Sequence, residues 1–182
     1  WVFWLLFFFQ FAAIGVYFTF LNVYFREQGL SGTQIGTINM ISSLTGVIAA
    51  IAWGYLADRT GQTRLMIAIG AIGALLIAQA VPRVHTFQAL LGLGILASLA
   101  NSAPGTLVDS AILSMLGDQR HNYGRYRLGG TFGYIITTLS AGFLFDSVSL
   151  RLMFPVYGVI MAFFAGVALL LRFCVSIEIS RT

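Results

Sequence analysis

The stretch Gly54-Tyr55-Leu56-Ala57-Asp58-Arg59-Thr60-Gly61-Gln62-Thr63-Arg64 decides the fold. It carries Asp58, Arg59 and Arg64 between two apolar runs that carry no charge, Thr33–Ala57 before it and Leu65–Val81 after it. A link this short is no domain. Its charges therefore sit at a membrane surface, with a crossing on either side. Asp58 follows the C-terminal end of a helix, where the backbone dipole already places partial negative charge. A carboxylate is disfavoured there. It is expected to find a partner, either a nearby arginine or the N-terminus of another helix.

Working outward, apolar residues make up 58% of the chain and charged residues 9%, against about 25% charged in a soluble domain. Spanning a bilayer takes about 20 mostly apolar residues. Six stretches qualify: 2–25, 33–57, 65–81, 87–115, 127–145 and 152–172. The predicted fold class is an all-α membrane protein, and residues 1–182 form one six-helix bundle with no soluble domain. The chain opens at Trp1 without a methionine or a charged n-region, so 2–25 reads as a span rather than a signal peptide. A few residues ahead of Trp1 are expected to have been trimmed. Cys174 is the only cysteine, which leaves no internal disulfide. All ten basic residues are arginine, which removes P-loop, Schiff-base and general-base lysines. The net charge of +4 is scattered over membrane loops and does not point to nucleic acid.

The loops alternate in charge. Arg26, Arg83 and Arg151 fall on one side; Arg59, Arg64, Arg120, Arg125, Arg127, Arg172 and Arg181 fall on the other. The positive-inside rule makes the second side cytoplasmic. The expectation is a multi-pass protein of a plasma or inner membrane with both ends in the cytoplasm.

An internal repeat is visible. The second span ends Gly54-Tyr55-Leu56-Ala57-Asp58 and the fifth ends Gly142-Phe143-Leu144-Phe145-Asp146, 88 residues later. The two spans run in opposite directions, so the pattern reads as an inverted three-plus-three repeat, a device common in transporters. Short glycine-to-aspartate exits also recur by chance at helix ends.

Small residues recur at Gly46, Ala50 and Gly54 in the second span and at Gly129, Gly133 and Ala141 in the fifth, with Thr137 between. Such stripes let helices approach closely. The fourth span is the unusual one, reading Ala100-Asn101-Ser102-Ala103-Pro104-Gly105-Thr106-Leu107-Val108-Asp109. Pro104 lacks an N–H and displaces the carbonyl of Ala100, so a kink is expected. Asn101, Gly105 and Asp109 share one helix face, with Ser102 and Thr106 beside it. One reading is a polar cavity wall with an ionisable group near its cytoplasmic end. The other is that the helix stops near Thr106 and leaves Asp109 at the interface. Asp109 could pair with Arg127, which otherwise opposes the dipole at the start of the fifth helix. Without a partner it would be a candidate proton carrier. Gln10, Tyr17, Thr19 and Asn22 of the first span, Asn39, Ser42, Ser43 and Thr45 of the second, and Gln79 of the third are the other polar groups. Tyr17, Asn22 and Asn39, with Asn101, Ser102 and Thr106, are the expected substrate path. The aromatic cluster Trp1, Phe3, Trp4, Phe7, Phe8 and Phe9 reads as lipid-facing or interfacial anchoring. His85 and His121 fall in loops and read as solvated, with no second ligand at metal spacing.

Gly54-x-Leu56-Ala57-Asp58-Arg59-x-Gly61 resembles the signature loop between helices 2 and 3 of the major facilitator superfamily, departing from it at Gln62 and Thr63. Tyr123-Gly124-Arg125-Tyr126-Arg127-Leu128-Gly129-Gly130-Thr131-Phe132-Gly133 is similar to the start of helix 5 in a subgroup of phenylpropionate permease-like and nucleoside–proton symporter-like transporters, neighbours of lactose permease. The resemblance covers the whole chain as the amino-terminal half of a twelve-helix protein. It implies alternating access to a site faced by helices 1, 2, 4 and 5, with helices 3 and 6 peripheral. It also implies a gating and charge-relay set of Gly54, Asp58, Arg59, Gly61, Arg64, Asp109, Arg125 and Arg127. In that set Asp58 caps a helix of the absent half, and Arg59 or Arg64 pairs with Asp109 or Asp118.

The expected function is a half or fragment of a secondary permease moving a small organic solute, a proton symporter by the same resemblance, without cofactor or metal. Its expected partners are membrane lipid, the solute, protons and a missing carboxy-terminal half or second subunit. The alternative is a truncated or degenerate, non-transporting membrane protein acting as a binding partner or dimer. An intramembrane enzyme is not expected, because no serine–histidine or paired-aspartate arrangement lies within a span.

Overall fold

The structure, a computed structural model, describes residues 1–179, with side chains described as far as Leu170. Arg172, Cys174 and Arg181 therefore lie outside the described side chains. Six long helices follow one another: α1 (Val2–Glu27), α2 (Gly32–Thr60), α3 (Thr63–Ala80), α4 (Phe87–Leu116), α5 (Tyr123–Ser147) and α6 (Met153–Ile179). The apolar run Phe87–Ser147 is long enough for two crossings. The 3₁₀ segment Gly117–Asn122 divides it into α4 and α5.

Most helices run past the apolar spans, because hydrogen bonding continues until a cap stops it. The change matters most at α2. Ser31 and Gln34 form a reciprocal capping box at its start, with Ser31 N–H donating to Gln34 Oε1 at 2.9 Å. Gly61 closes its other end with a φ of 64°, a left-handed turn that a glycine makes without strain. Asp58 and Arg59 thus belong to the last turn of α2 rather than to a loop, and only Gly61 and Gln62 link α2 to α3.

The helix pairing has an internal symmetry. The extensive contacts are α1 with α5, α2 with α4, α3 with α4, α1 with α6, and α3 with α6. Exchanging α1 with α4, α2 with α5 and α3 with α6 returns the same set. This is the inverted three-plus-three arrangement that the two Gly…Asp motifs suggest. Neighbour register gives the helix directions. Gly129 and Gly133 meet Trp4 and Phe8 in turn, so α1 and α5 are parallel. Gly94 meets Ile38 and Ser42 while Gly46 meets Ser98, so α2 and α4 are parallel too. Gly70 meets Ala103 and Gly73 meets Ala100, so α3 and α4 are antiparallel. Successive helices therefore alternate in direction. Arg59, Arg64, Arg120, Arg125 and Arg127 gather at one end of the bundle, and Arg26, Arg83 and Arg151 at the other.

The seam between α1 and α5 is a backbone-to-backbone contact. A methyl group at Gly129 would stand 2.7 Å from the Trp4 carbonyl, and one at Gly133 would collide with the Phe8 carbonyl. Thr137 Oγ1 donates to the Ala12 carbonyl at 3.1 Å in the same seam. This trough corrects the reading of the aromatic cluster as lipid-facing. Phe7 is fully buried, Phe3 and Phe7 meet Tyr126 and Tyr123 edge-on, and only Trp1 of the cluster is freely exposed. The stripe on α2 is also corrected. Gly46 packs against Ser98, but Gly54 has open space around it.

Candidate functional site

α4 continues through Pro104 to Leu116, so the reading that the helix stops near Thr106 does not hold. The carbonyl of Ala100, which Pro104 deprives of its usual donor, lies against α3. A methyl at Gly70 would come within 2.8 Å of it and 2.9 Å of the proline ring. From α1, Gln10 Nε2 donates to the Pro104 carbonyl at 3.2 Å. The backbone around Pro104 is thus covered by protein on one face, as a carbonyl without its helical donor must be at membrane depth. The opposite face, at Gly105 and Thr106, is exposed.

That exposed face lines a cavity of about 510 Å³ between α1, α2 and α4. Tyr17, Asn39, Asn101, Ser102 and Thr106 of the sequence-derived path all border it, with Ser98 added. Asn22 does not. It instead accepts from Asn39 Nδ2 at 3.1 Å and so orients the Asn39 amide. Ser98 Oγ donates to the Ser42 carbonyl and Trp53 Nε1 to the Leu99 carbonyl at 2.8 Å, which ties α2 to α4 along the cavity's edge. The wall is chiefly apolar, with uncharged hydroxyls and amides set into it.

A second chamber of about 300 Å³ lies behind it, sharing Phe18, Asn101 and Gly105 with the first. Tyr157 donates to Asn101 Oδ1 at 2.8 Å, and its ring lies 4.5 Å from that of Tyr17. Two expectations are corrected here. α5 supplies no lining residue to either chamber, because α1 stands between them. α6, expected to be peripheral, contributes Tyr157 and Met161. Tyr157 escaped the sequence reading because a lone tyrosine in an apolar span gives no signal of its own. Gln10 was noted there, but without a role.

Asp109 is half-buried within α4. Tyr123, the first residue of α5, donates its hydroxyl to Asp109 Oδ1 at 2.8 Å. Arg127 Nη1 donates to the same tyrosine oxygen at 3.0 Å, with its guanidinium over the ring. The direct Asp109–Arg127 pair is replaced by a carboxylate–phenol–guanidinium chain. The phenol can serve both neighbours because it donates with its hydrogen and accepts with its lone pairs. Arg59 donates to Tyr55 at 3.3 Å, a neighbour on its own helix, rather than to Asp109 or Asp118. Asp58 is exposed in the last turn of α2, Arg64 is half-buried at the start of α3, and Arg125 borders a niche with Trp1, Trp4 and Tyr126. His85 is not merely solvated. Its Nδ1 is 2.8 Å from Gln28 Oε1, bridging the loops at the three-arginine end.

A bundle of six long apolar helices with inverted-repeat pairing and a cavity beside a proline-containing central helix is the membrane domain of a secondary-transporter fold. A model of the MFS_1 like family matches residues 1–181, and the chain belongs to that family, within the major facilitator superfamily. It is an integral membrane protein with the fold of one half of that superfamily. The chain is 31% identical to the maltose permease of Geobacillus stearothermophilus over 92% of its own length and 43% of the permease. It is 31% identical to the multidrug resistance protein MdtG of Yersinia enterocolitica, over 79% of the chain and 36% of that protein. It is 26% identical to the sucrose permease of Escherichia coli, over 65% of the chain and 30% of the permease. The chain thus spans less than half the length of these curated relatives. Their names range over different substrates, so the match shows the family without selecting a narrower subgroup.

Proposed function

We propose that this chain is the amino-terminal half of a secondary transporter that carries a small, uncharged, hydroxyl-bearing solute by alternating access. The cavity between α1, α2 and α4 carries this reading. Its hydroxyls and amides suit a polyol without requiring a counter-charge, and the exposed Phe18 ring suits the apolar face of a sugar ring. The names of the relatives agree, since maltose and sucrose permeases are among them. A carboxy-terminal half would close the open side of the cavity. In a plasma or inner membrane, the arginine-rich end would face the cytoplasm and both chain ends would lie there.

Proton coupling rests on Asp109, the carboxylate three residues beyond Thr106 of the cavity wall on the same helix. α4 is 30 residues long, about 45 Å at 1.5 Å per residue, against about 30 Å of hydrocarbon. With the helix centred in the bilayer, Asp109 would lie near the hydrocarbon boundary at the arginine-rich end. There the aqueous phase could exchange its proton.

The test is uptake of radiolabelled maltose, sucrose and uridine into energised vesicles carrying the product of the full reading frame. Accumulation of a sugar that collapses with a protonophore is the expected result. Uptake of no neutral solute, or uptake indifferent to the protonophore, would contradict the solute or the coupling assignment respectively. Replacing Tyr123 by Phe should remove the link between Asp109 and Arg127 while keeping the ring. Uptake is expected to fall about tenfold, the order of one charge-assisted hydrogen bond. An unchanged initial rate at matched protein level would show that the chain of contacts is only structural.

A further inference from the structure

The motif Gly142-Phe143-Leu144-Phe145-Asp146 plays no part in the cavity or in the Asp109 contacts. We propose that Asp146 is an outer latch, the counterpart of Asp58 at the opposite mouth. In this role it caps the N-terminus of a helix from the part of the protein that lies beyond this bundle. The proposal rests on the alternating-access reading above.

The two motifs match in more than residue type. In each, the glycine is half-buried, the aromatic and leucine are exposed, the fourth residue is buried and the aspartate is exposed. Tyr55 and Phe143 are 63% and 80% exposed, whereas Ala57 and Phe145 are 2% and 7% exposed. Each motif therefore presents the same surface: a ring, a leucine and a carboxylate on one face of a helix end. The exchange that preserves the helix contacts carries α2 onto α5, and so carries one surface onto the other at the opposite end of the bundle. Both carboxylates stand in the last turn of their own helix, where the dipole opposes them. The N–H groups at the start of another helix remove that conflict. The alignment with the maltose permease uses 43% of that protein, which leaves room for a second bundle to supply such a helix. For the direction to be right, the capped helix must begin at the outer surface.

An outer latch and an inner latch act in opposition. Losing one favours opening at its own mouth. This can be read in the product of the full reading frame with its native cysteines replaced, Cys174→Ser included, and Val47→Cys placed in the cavity wall as a reporter. A membrane-impermeant maleimide added from outside measures opening on that side. Asp146→Ala is expected to raise the labelling rate roughly two- to fivefold, the shift that loss of a helix-capping hydrogen bond gives. Asp58→Ala is expected to lower it by a similar factor, and the double variant should return close to the parent. Asp146→Asn should stay near the parent, because asparagine caps a helix about as well as aspartate. Asp146→Glu stands in if the alanine variant is not recovered monodisperse, and should give an intermediate rate.

The latch is overturned if Asp146→Ala leaves labelling unchanged or shifts it in the same direction as Asp58→Ala. The helix-cap assignment is overturned if Asp146→Asn behaves like alanine, which would mark an arginine partner instead. If Asp58→Ala shifts labelling and Asp146→Ala does not, only the latch fails. If neither shifts it and the reporter reacts equally from both faces, alternating access itself fails and the latch fails with it.

Discussion

Replacement of Asp109 by asparagine is expected to lower the initial rate of solute uptake roughly 30-fold, the factor that corresponds to about 2 kcal/mol for a hydrogen bond to a charged group. Asparagine keeps the shape and still accepts from the Tyr123 hydroxyl, which lies 2.8 Å from Asp109. What it removes is the charge. Arg127 is then left with a neutral phenol and a neutral amide, at a helix start whose dipole already opposes it. Asp109→Glu keeps the charge on a longer arm and should retain more activity than the amide. Uptake at matched protein level is the measurement. A normal rate in Asp109→Asn would remove Asp109 from both the coupling and the gating roles.

The second large effect is on stability. Gly133→Ala puts a methyl group into the Phe8 carbonyl across the α1–α5 seam. Both partners are backbone, so neither can swing aside, and the two helices must separate. Overpacking of this kind costs about 1–3 kcal/mol, which for a chain of this size lowers the thermal midpoint by roughly 3–10 °C. Gly92→Ala is the control, because a methyl there meets nothing within 4 Å. Alanine is also the better helix former by about 1 kcal/mol. The expected order of midpoints in detergent is Gly92→Ala at or above the parent and Gly133→Ala clearly below it. A Gly133→Ala protein as stable as the parent would mean that α1 and α5 do not approach this closely.

Much of this architecture was legible in the sequence because the bilayer is a strict solvent. It demands long apolar helices, and arginine placement marks their alternation. Helix ends were less legible. Charge at Asp58 ends the apolar count, whereas the helix ends only where Gly61 adopts its left-handed turn. Side-chain direction was hardest to read. Phe7 and Phe8 look like lipid anchors, since lipid and protein interiors are equally apolar to a phenylalanine. The clue lay in another helix, where Gly129, Gly130 and Gly133 open the trough that takes Trp4, Phe11 and Phe8. For the same reason α5 was placed at the cavity, although its small-residue face is spent on α1.

The site divides in a similar way. The polar face of α4 follows from helical spacing, so Asn101, Ser102 and Thr106 could be read directly. The link from Asp109 to Arg127 through Tyr123 could not. Opposite charges suggested contact, and nothing in the spacing shows that a phenol stands between them. Tyr157 reaches Asn101 from α6, a pairing that only the folded bundle creates.

If the cavity between α1, α2 and α4 is the path of the solute, a transported sugar should shield a thiol placed in its wall. Ser43 borders the cavity, while Leu76 is 63% exposed on α3 and lies outside it. In a background with Cys174→Ser, Ser43→Cys and Leu76→Cys would each be alkylated with and without saturating transported sugar. The account predicts slower alkylation at Ser43→Cys alone when sugar is present. Equal rates at Ser43→Cys with and without sugar, in a protein that still takes the sugar up, would contradict it.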